Sequence, residues 1–164
     1  MENRSKRENK IILAREFAAK KFAEAGIGSH FLDVLHVLRD DFDIKDQDIL
    51  AAGVLHDTLE DTDTTHEELE QNFGKSTADM VDEVSHPKNY NDEQRKEYHE
   101  KLKHISPGAK LVKLADFASH LKPGPYFVKH PNYFAQIRDF LAGCPDSKAK
   151  EIVSAFVSDA EKQL

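Results

Sequence analysis

Cysteine, basic charge and long apolar runs are all scarce in this chain of 164 residues. Cys144 is the only cysteine, which excludes an intramolecular disulfide bond and fits a reducing compartment such as the cytosol. The longest apolar run, residues 49–55, is far shorter than the roughly 20 residues that cross a bilayer, and the charged segment 1–10 does not resemble a secretion signal. We therefore expect a soluble, cytoplasmic protein without a membrane partner.

Acidic residues outnumber basic residues in the chain. The 30 aspartates and glutamates, against 23 lysines and arginines, give a formal net charge of -7. A protein that binds a nucleic-acid polymer normally carries a basic face, so we expect no such partner. A ligand that bears phosphates would have to meet local cations or a bound metal ion.

The apolar pattern predicts an all-α protein. Apolar side chains recur at helical spacing in several segments, and no segment sustains the period-two alternation of β-branched residues that is typical of a strand. Hydrophobic residues make up 39% of the chain, which is enough for the core of one domain of this length. We expect a bundle of about nine helices that forms a single domain over residues 1–164.

Capping residues predict where several helices begin. Ser106 stands before Pro107, a favoured first residue of a helix, and a long apolar series follows them. Thr65 and Ser76 are each followed three residues later by an acidic residue, as in a capping pair, and predict two short helices. Segment 92–103 is almost entirely polar and should form an exposed helix.

Four ionisable residues follow the apolar run 49–55: His56, Asp57, Glu60 and Asp61. Burial of the run would draw these side chains out of bulk water, and a desolvated charge has to be paired, hydrogen-bonded or bound to a metal. If the helix continues through the motif, His56 stacks on Glu60 and Asp57 stacks on Asp61. Mixed imidazole and carboxylate ligands suit a divalent cation, which leaves coordination positions for water and substrate oxygen.

A simpler interpretation is that His56 caps the apolar helix and the acidic residues form a solvated turn. A metal site therefore needs further ligands, and two candidates lie elsewhere in the chain. His30 starts the preceding apolar series, and Asp116 flanks an apolar helical stripe where an acid is unexpected. Alternatively, His30 lies in water at a helix start, and Asp116 pairs with Lys113 or Lys110.

The order His30, His56-Asp57, Asp116 resembles the H…HD…D signature of the HD-domain metal phosphohydrolases, which are helical bundles. Three longer segments are similar to the hydrolase domain of the RelA/SpoT stringent-response enzymes and to the small alarmone hydrolases. These segments are 52–62 (AGVLHDTLEDT), 73–75 (FGK) and 106–116 (SPGAKLVKLAD). The similarity covers roughly residues 11–141.

This resemblance implies an activity and a set of functional residues. Enzymes of that family remove the 3′-pyrophosphate from guanosine tetraphosphate or pentaphosphate with a manganese ion, so we expect a metal-dependent phosphohydrolase that acts on a nucleotide. The resemblance assigns four metal ligands: His30, His56, Asp57 and Asp116. Glu60 and Asp61 match the family's acidic pair, which acts on the nucleophilic water.

Substrate phosphates also need cations, which this acidic chain must supply locally. Tyr133 resembles a tyrosine that contacts substrate in the family, and Lys129, one turn earlier, matches a basic position there. Lys113, Arg95 and Lys96 lie on segments that would border the cleft.

Two departures from the family pattern concern substrate recognition. Family members carry a basic loop before the first metal histidine, whereas residues 22–29 of this chain contain no lysine or arginine. A phosphate-contacting asparagine of the family is replaced by His120, which we retain as a candidate substrate contact. Two alternatives therefore stay open, namely hydrolysis of a different nucleotide and a nucleotide-sensing module without turnover.

The remaining histidines receive no functional role from the sequence. His36 is a rival first metal ligand, but its position on the helix after His30 favours packing. The others have no ligand-like spacing: His66, His86, His99, His104 and His130. The oligomeric state is not predicted.

Overall fold

A computed structural model describes residues 2–123 and 132–164, and within these ranges it contains helices and no strand. The α-helices are α1 (Glu2–Ala25), α2 (His30–His36), α3 (Gln47–Leu55), α4 (Thr58–Asp61), α5 (His66–Phe73), α6 (Lys75–Val84), α7 (Asp92–Leu102), α8 (Pro107–Leu121), α9 (Tyr133–Ala142) and α10 (Lys148–Glu161). The segment Val37–Asp41 continues α2 as a short π-helix. The predicted all-α class is confirmed, and the described residues contain ten α-helices where about nine were expected for the chain. The single domain over 1–164 stays a prediction.

Capping residues set most of the helix starts that the sequence predicts. The Ser106 side chain accepts from the backbone N–H of Ala109 at the start of α8, with Pro107 as the first helical residue. Thr65 caps α5 in the same way. The predicted cap at Ser76 is wrong: α6 already begins at Lys75, and Gly74 precedes it with a φ of 89°, a conformation that glycine adopts without the steric cost of a side chain.

Helices α3 and α8 form the centre of the bundle. Residues 50–55 of α3 are all buried, and this helix packs against α1, α2, α6 and α8. The face of α8 that includes Val112, Leu114 and Ala118 is also buried, against α3, α6 and α10. This packing brings the C-terminal end of α3 and the middle of α8 together with α2. Among the described helices, none is both long enough and apolar enough to cross a membrane.

Gly53 allows α3 to lie very close to the π-helical segment that follows α2. A Cβ atom added at Gly53 would come within 2.2 Å of Leu38 Cδ1 and within 3.5 Å of a Val34 methyl group. Leu38 and Val34 are themselves fully buried, so neither has solvent into which it can move. The absence of a side chain at residue 53 is therefore a packing requirement.

Substitution Gly53→Ala should destabilise the protein, because overpacking of a buried contact typically costs about 1–3 kcal/mol. The measurement is the free energy of unfolding from urea denaturation followed by circular dichroism. Gly143→Ala is the matched control, since a Cβ there would approach only the Phe140 carbonyl oxygen, at 3.6 Å. Equal stability of the two variants would show that the Leu38 side chain repacks.

Candidate metal centre

The chain leaves helical geometry between α3 and α4, where the ionisable motif begins. The Thr58 hydroxyl donates to the Leu55 carbonyl oxygen at 2.7 Å, and the His56 ring Nδ1 lies 2.8 Å from the Gly53 carbonyl oxygen. These contacts turn the chain after Leu55, so α3 does not run through the motif. The expected stacking of His56 on Glu60 is therefore not found, whereas Asp57 and Asp61 do lie in one cluster.

The His56 ring is oriented by its backbone contact. Because a carbonyl oxygen only accepts, Nδ1 must carry the proton that it donates to Gly53, and a neutral ring then has a lone pair on Nε2. This Nε2 atom is buried, lies 3.1 Å from Asp57 Oδ2 and 3.5 Å from Asp116 Oδ1, and makes no hydrogen bond. A buried lone pair that faces two carboxylate oxygens is unfavourable without a cation between them.

Asp116 lies close to two other candidate ligands, His30 and His56. It is 8% exposed on α8, and its Oδ1 lies 3.1 Å from His30 Nε2. Its Oδ2 accepts from the Lys113 ammonium at 2.9 Å, which is the pair expected under the simpler interpretation. Lys110 instead donates to the Gly143 carbonyl oxygen. The ion pair with Lys113 therefore coexists with the histidine contacts, and His30 does not lie in open water.

Burial and charge act in opposite directions on the pKa values of this cluster. Burial raises the pKa of the Asp116 carboxyl, but the Lys113 ammonium and hydrogen bonds from histidines outweigh it and hold that pKa well below its usual range. Burial lowers the pKa of the His56 imidazole, but the Asp57 and Asp116 carboxylates reverse this and raise it well above its ordinary value. The site therefore favours a positive charge between His56 and these carboxylates, either a proton or a metal ion.

The donor atoms fit a divalent metal ion. Ligand atoms of His30, His56 and Asp116 all lie within 4.8 Å of one another, and Asp57 contacts His56 at 3.1 Å. Adjacent ligands of an octahedral ion with bonds of about 2.1 Å lie about 3 Å apart, close to these spacings. Two imidazoles and two carboxylates suit a borderline divalent cation, and the orphaned Nε2 of His56 supplies a lone pair for it.

A second acidic cluster lies beside the first. Ligand atoms of Asp57, Glu60 and Asp61 lie within 4.8 Å of one another. Glu60 is held by His86, whose backbone N–H donates to Oε1 at 3.0 Å and whose Nε2 lies 3.1 Å from Oε2. Asp61 is exposed, and desolvation together with the Asp57 and Glu60 carboxylates raises its pKa. Glu60 is thus fixed in orientation, while the raised pKa of Asp61 suits this carboxylate to take a proton.

Both clusters border a cavity of about 360 Å³, within the range of small-ligand pockets. Four of the predicted substrate contacts line it: Arg95, Lys113, His120 and Tyr133. Burial raises the pKa of the Tyr133 phenol to about 12, so this side chain stays protonated and can donate a hydrogen bond at neutral pH.

One predicted substrate contact, Lys96, does not line this cavity. Lys96 is exposed on α7 and is not among the residues that line the cavity, so the structure gives no support to a substrate contact there. Lys129 lies outside the described residues.

Sequence reasoning missed His86 and Tyr90, which line the cavity beside the predicted substrate contact Arg95. His86 stacks on Tyr90 with ring centroids 4.1 Å apart, and the Arg95 guanidinium lies 5.0 Å from the Tyr90 ring centroid. No spacing in the sequence marks His86, because its partner Glu60 is 26 residues away and the contact depends on how α4 and the end of α6 meet. His36 is exposed and paired with Asp40, so the expectation that this side chain packs is wrong, although it lies outside the ligand cluster.

Comparison with known proteins places this arrangement in a family. The HD domain model matches residues 11–120 of the chain. Human guanosine-3′,5′-bis(diphosphate) 3′-pyrophosphohydrolase MESH1 is 38% identical over 121 residues, which are 68% of this chain and 68% of that protein. The chain belongs to the HD-domain family. The family model includes all four proposed metal ligands of this HD domain, from His30 to Asp116.

Other relatives and solved structures agree with the HD-domain assignment. The Xenopus tropicalis MESH1 protein is 42% identical over 68% of both chains. A structure described as a metazoan ortholog of SpoT that hydrolyses ppGpp has a TM-score of 0.76 at 24% identity, over 92% of this chain and 94% of that one. The Listeria monocytogenes protein lmo0812 has a TM-score of 0.63 at 22% identity, over 82% and 99% of the chains. These structural likenesses show the shared fold.

Substitution His56→Ala should abolish stabilisation of the HD domain by metal. A ligand that binds only the folded state at 100 times its dissociation constant stabilises it by about 2.7 kcal/mol, and His56 supplies a central donor atom. The measurement is thermal unfolding of metal-free protein with and without added Mn²⁺. His66→Ala is the control, since that imidazole pairs with Asp79 at 2.9 Å, outside the cluster. An equal metal-induced shift in both variants would contradict the ligand assignment.

Proposed function

We propose that this chain is a metal-dependent phosphohydrolase that removes the 3′-pyrophosphate from guanosine tetraphosphate or a closely similar nucleotide. The observation that carries this proposal is the convergence of His30, His56, Asp57 and Asp116 beside the acidic pair, at a cavity of ligand size. The names of the MESH1 relatives support the same substrate.

The ligand set supports a divalent cation, and we propose Mn²⁺, the ion that the family resemblance implies. A bound divalent cation would lower the pKa of a water molecule and neutralise phosphoryl charge. His30, His56, Asp57 and Asp116 would hold it, with the Nδ1 proton of His56 fixed on the Gly53 carbonyl so that Nε2 stays available as a donor. The Lys113 ammonium would hold the Asp116 carboxylate in its ionised, ligating form.

The two residues of the acidic pair would have different roles toward the nucleophilic water. Glu60, with both oxygens engaged by His86, is fixed and would orient the water by accepting a hydrogen bond. Asp61 is exposed at the cavity, and its raised pKa suits it to accept the water proton. The proton would pass from the water to an Asp61 carboxylate oxygen and from there to solvent.

Substrate phosphates would meet cations that line the cavity in spite of the acidic net charge. Lys113 and Arg95 provide positive charge on opposite elements, α8 and α7, and Tyr133 provides a phenolic hydrogen-bond donor on α9. A guanosine base would have to be held without a basic loop, since residues 22–29 contain no lysine or arginine. This absence favours a different base or sugar as the second candidate substrate for the same hydrolysis.

Incubation of the Mn²⁺-loaded protein with guanosine tetraphosphate should release pyrophosphate and leave guanosine diphosphate. Anion-exchange chromatography separates these products from orthophosphate. A panel of other nucleoside polyphosphates, assayed in parallel, tests the second candidate. If no nucleotide is hydrolysed while the protein binds Mn²⁺ and nucleotide, the chain is a sensing module and the proposed activity is wrong.

Substitutions Glu60→Gln and Asp61→Asn should each leave Mn²⁺ binding intact and reduce kcat by about 10²–10⁴-fold, the usual contribution of a positioned acid or base. The raised pKa of Asp61 predicts an acid limb in the pH profile of kcat/KM, because activity falls as protonation removes the base. That limb should lie above pH 3.8, the ordinary carboxyl pKa, and should vanish in Asp61→Asn. An unchanged acid limb in this variant would assign the base to another group.

A further inference from the structure

Three imidazoles converge on one carboxylate oxygen in the described part of the chain. Asp116 Oδ1 lies 3.1 Å from His30 Nε2, 3.2 Å from His120 Nε2 and 3.5 Å from His56 Nε2. His30 and His56 are already among the proposed metal ligands, whereas His120 occupies a position at which the family resemblance implies an asparagine. We propose that His120 is a third imidazole ligand of the metal centre.

The number of lone pairs on Asp116 is the first argument. Each oxygen of a carboxylate offers about two lone-pair positions, so three ring nitrogens cannot all donate well to Oδ1. The second oxygen does not relieve this crowding, because it accepts from Lys113 at 2.9 Å. At least one of the three Nε2 atoms therefore directs a lone pair into the cluster, and His56 already does so. A cation bound at Asp116 would accept lone pairs from these ring nitrogens and would relieve the crowding at Oδ1.

The placement of the His120 ring is the second argument. Residues four apart lie on one face of a helix, so α8 directs Asp116 and His120 to the same side. The His120 ring stacks on the His30 ring with centroids 4.4 Å apart and an interplanar angle of 19°. Since both rings present Nε2 to the same oxygen, the stack holds two potential donor atoms side by side.

A third imidazole changes which metals the site prefers. Three imidazoles and two carboxylates form a set richer in nitrogen than two imidazoles and two carboxylates, and imidazole suits Zn²⁺, Fe²⁺ and Co²⁺ better than it suits Mg²⁺ or Mn²⁺. The chain should therefore bind Zn²⁺ more tightly relative to Mn²⁺ than a variant with asparagine at residue 120. This inference rests on the metal centre of the proposed function and is independent of the substrate.

The test compares the full chain with His120→Asn, His120→Gln and His36→Asn. His36→Asn is a matched control, because His36 also pairs with an aspartate on its own helix, with Nδ1 2.7 Å from Asp40 Oδ2. Protein labelled with ¹⁵N in its histidine rings is loaded with ¹¹³Cd²⁺, and one-bond couplings between the metal and ring nitrogens count the coordinated imidazoles. Dissociation constants for Zn²⁺ and Mn²⁺ are measured by competition with a chelating dye.

The expected result is three coupled ring nitrogens in the unchanged chain and in His36→Asn, and two in His120→Asn and His120→Gln. Both substitutions at residue 120 should weaken Zn²⁺ binding at least about tenfold and Mn²⁺ binding by less. Two couplings in the unchanged chain would overturn the proposal, as would failure to bind Zn²⁺, Mn²⁺ and ¹¹³Cd²⁺. If three couplings are observed but no nucleotide is hydrolysed, the proposed function is contradicted and the assignment of His120 as a ligand is not.

Discussion

The buried carboxylate of Asp116 is the constraint on which the rest of the site depends. It is buried on α8, where most of the other buried residues are apolar, and an isolated charge there would cost several kcal/mol. Lys113 compensates one oxygen, and histidines from α2, from the turn after α3 and from α8 itself surround the other. One charged group thus joins three elements of the bundle at the point where the donor atoms for a metal ion meet.

The packing of α3 makes this convergence possible. Because Gly53 has no side chain, the segment after α2 approaches α3 closely, and the Gly53 carbonyl oxygen fixes the His56 ring one turn later. A residue needed for close packing therefore also orients a proposed metal ligand. The turn at Thr58 then carries Glu60 and Asp61 to the cavity instead of along a continuing helix.

Local pairing explains how an acidic chain can present a site for a phosphorylated ligand. The net charge of -7 is distributed over the whole chain, whereas the cavity has Lys113 and Arg95 in its walls and borders residues that are proposed to hold a metal ion. His86 fixes Glu60, so this carboxylate adds less free negative charge to the cavity than its formal charge suggests. The distribution of charge, and not its sum, decides what this cavity can bind.

Much of the secondary structure followed from local chemistry that can be read along the chain. Ser106 with Pro107 determined the start of α8, and Thr65 determined that of α5, because capping depends on residues within one turn. The Ser76 cap failed because Gly74, two residues earlier, provides a backbone conformation that lets α6 begin sooner. Neighbouring residues can each favour a different start for the same helix, and the sequence does not show which start prevails.

The sequence by itself determined the helical class and the identity of the candidate ligands His30, His56, Asp57 and Asp116, because periodicity and the family motif are properties of residue order. Only the tertiary structure decided that His86 holds Glu60, that His120 lies against Asp116, and that Lys96 does not line the cavity. The physical reason is that these contacts depend on how separate helices pack, and packing depends on the shape of the whole core and not on spacing along the chain.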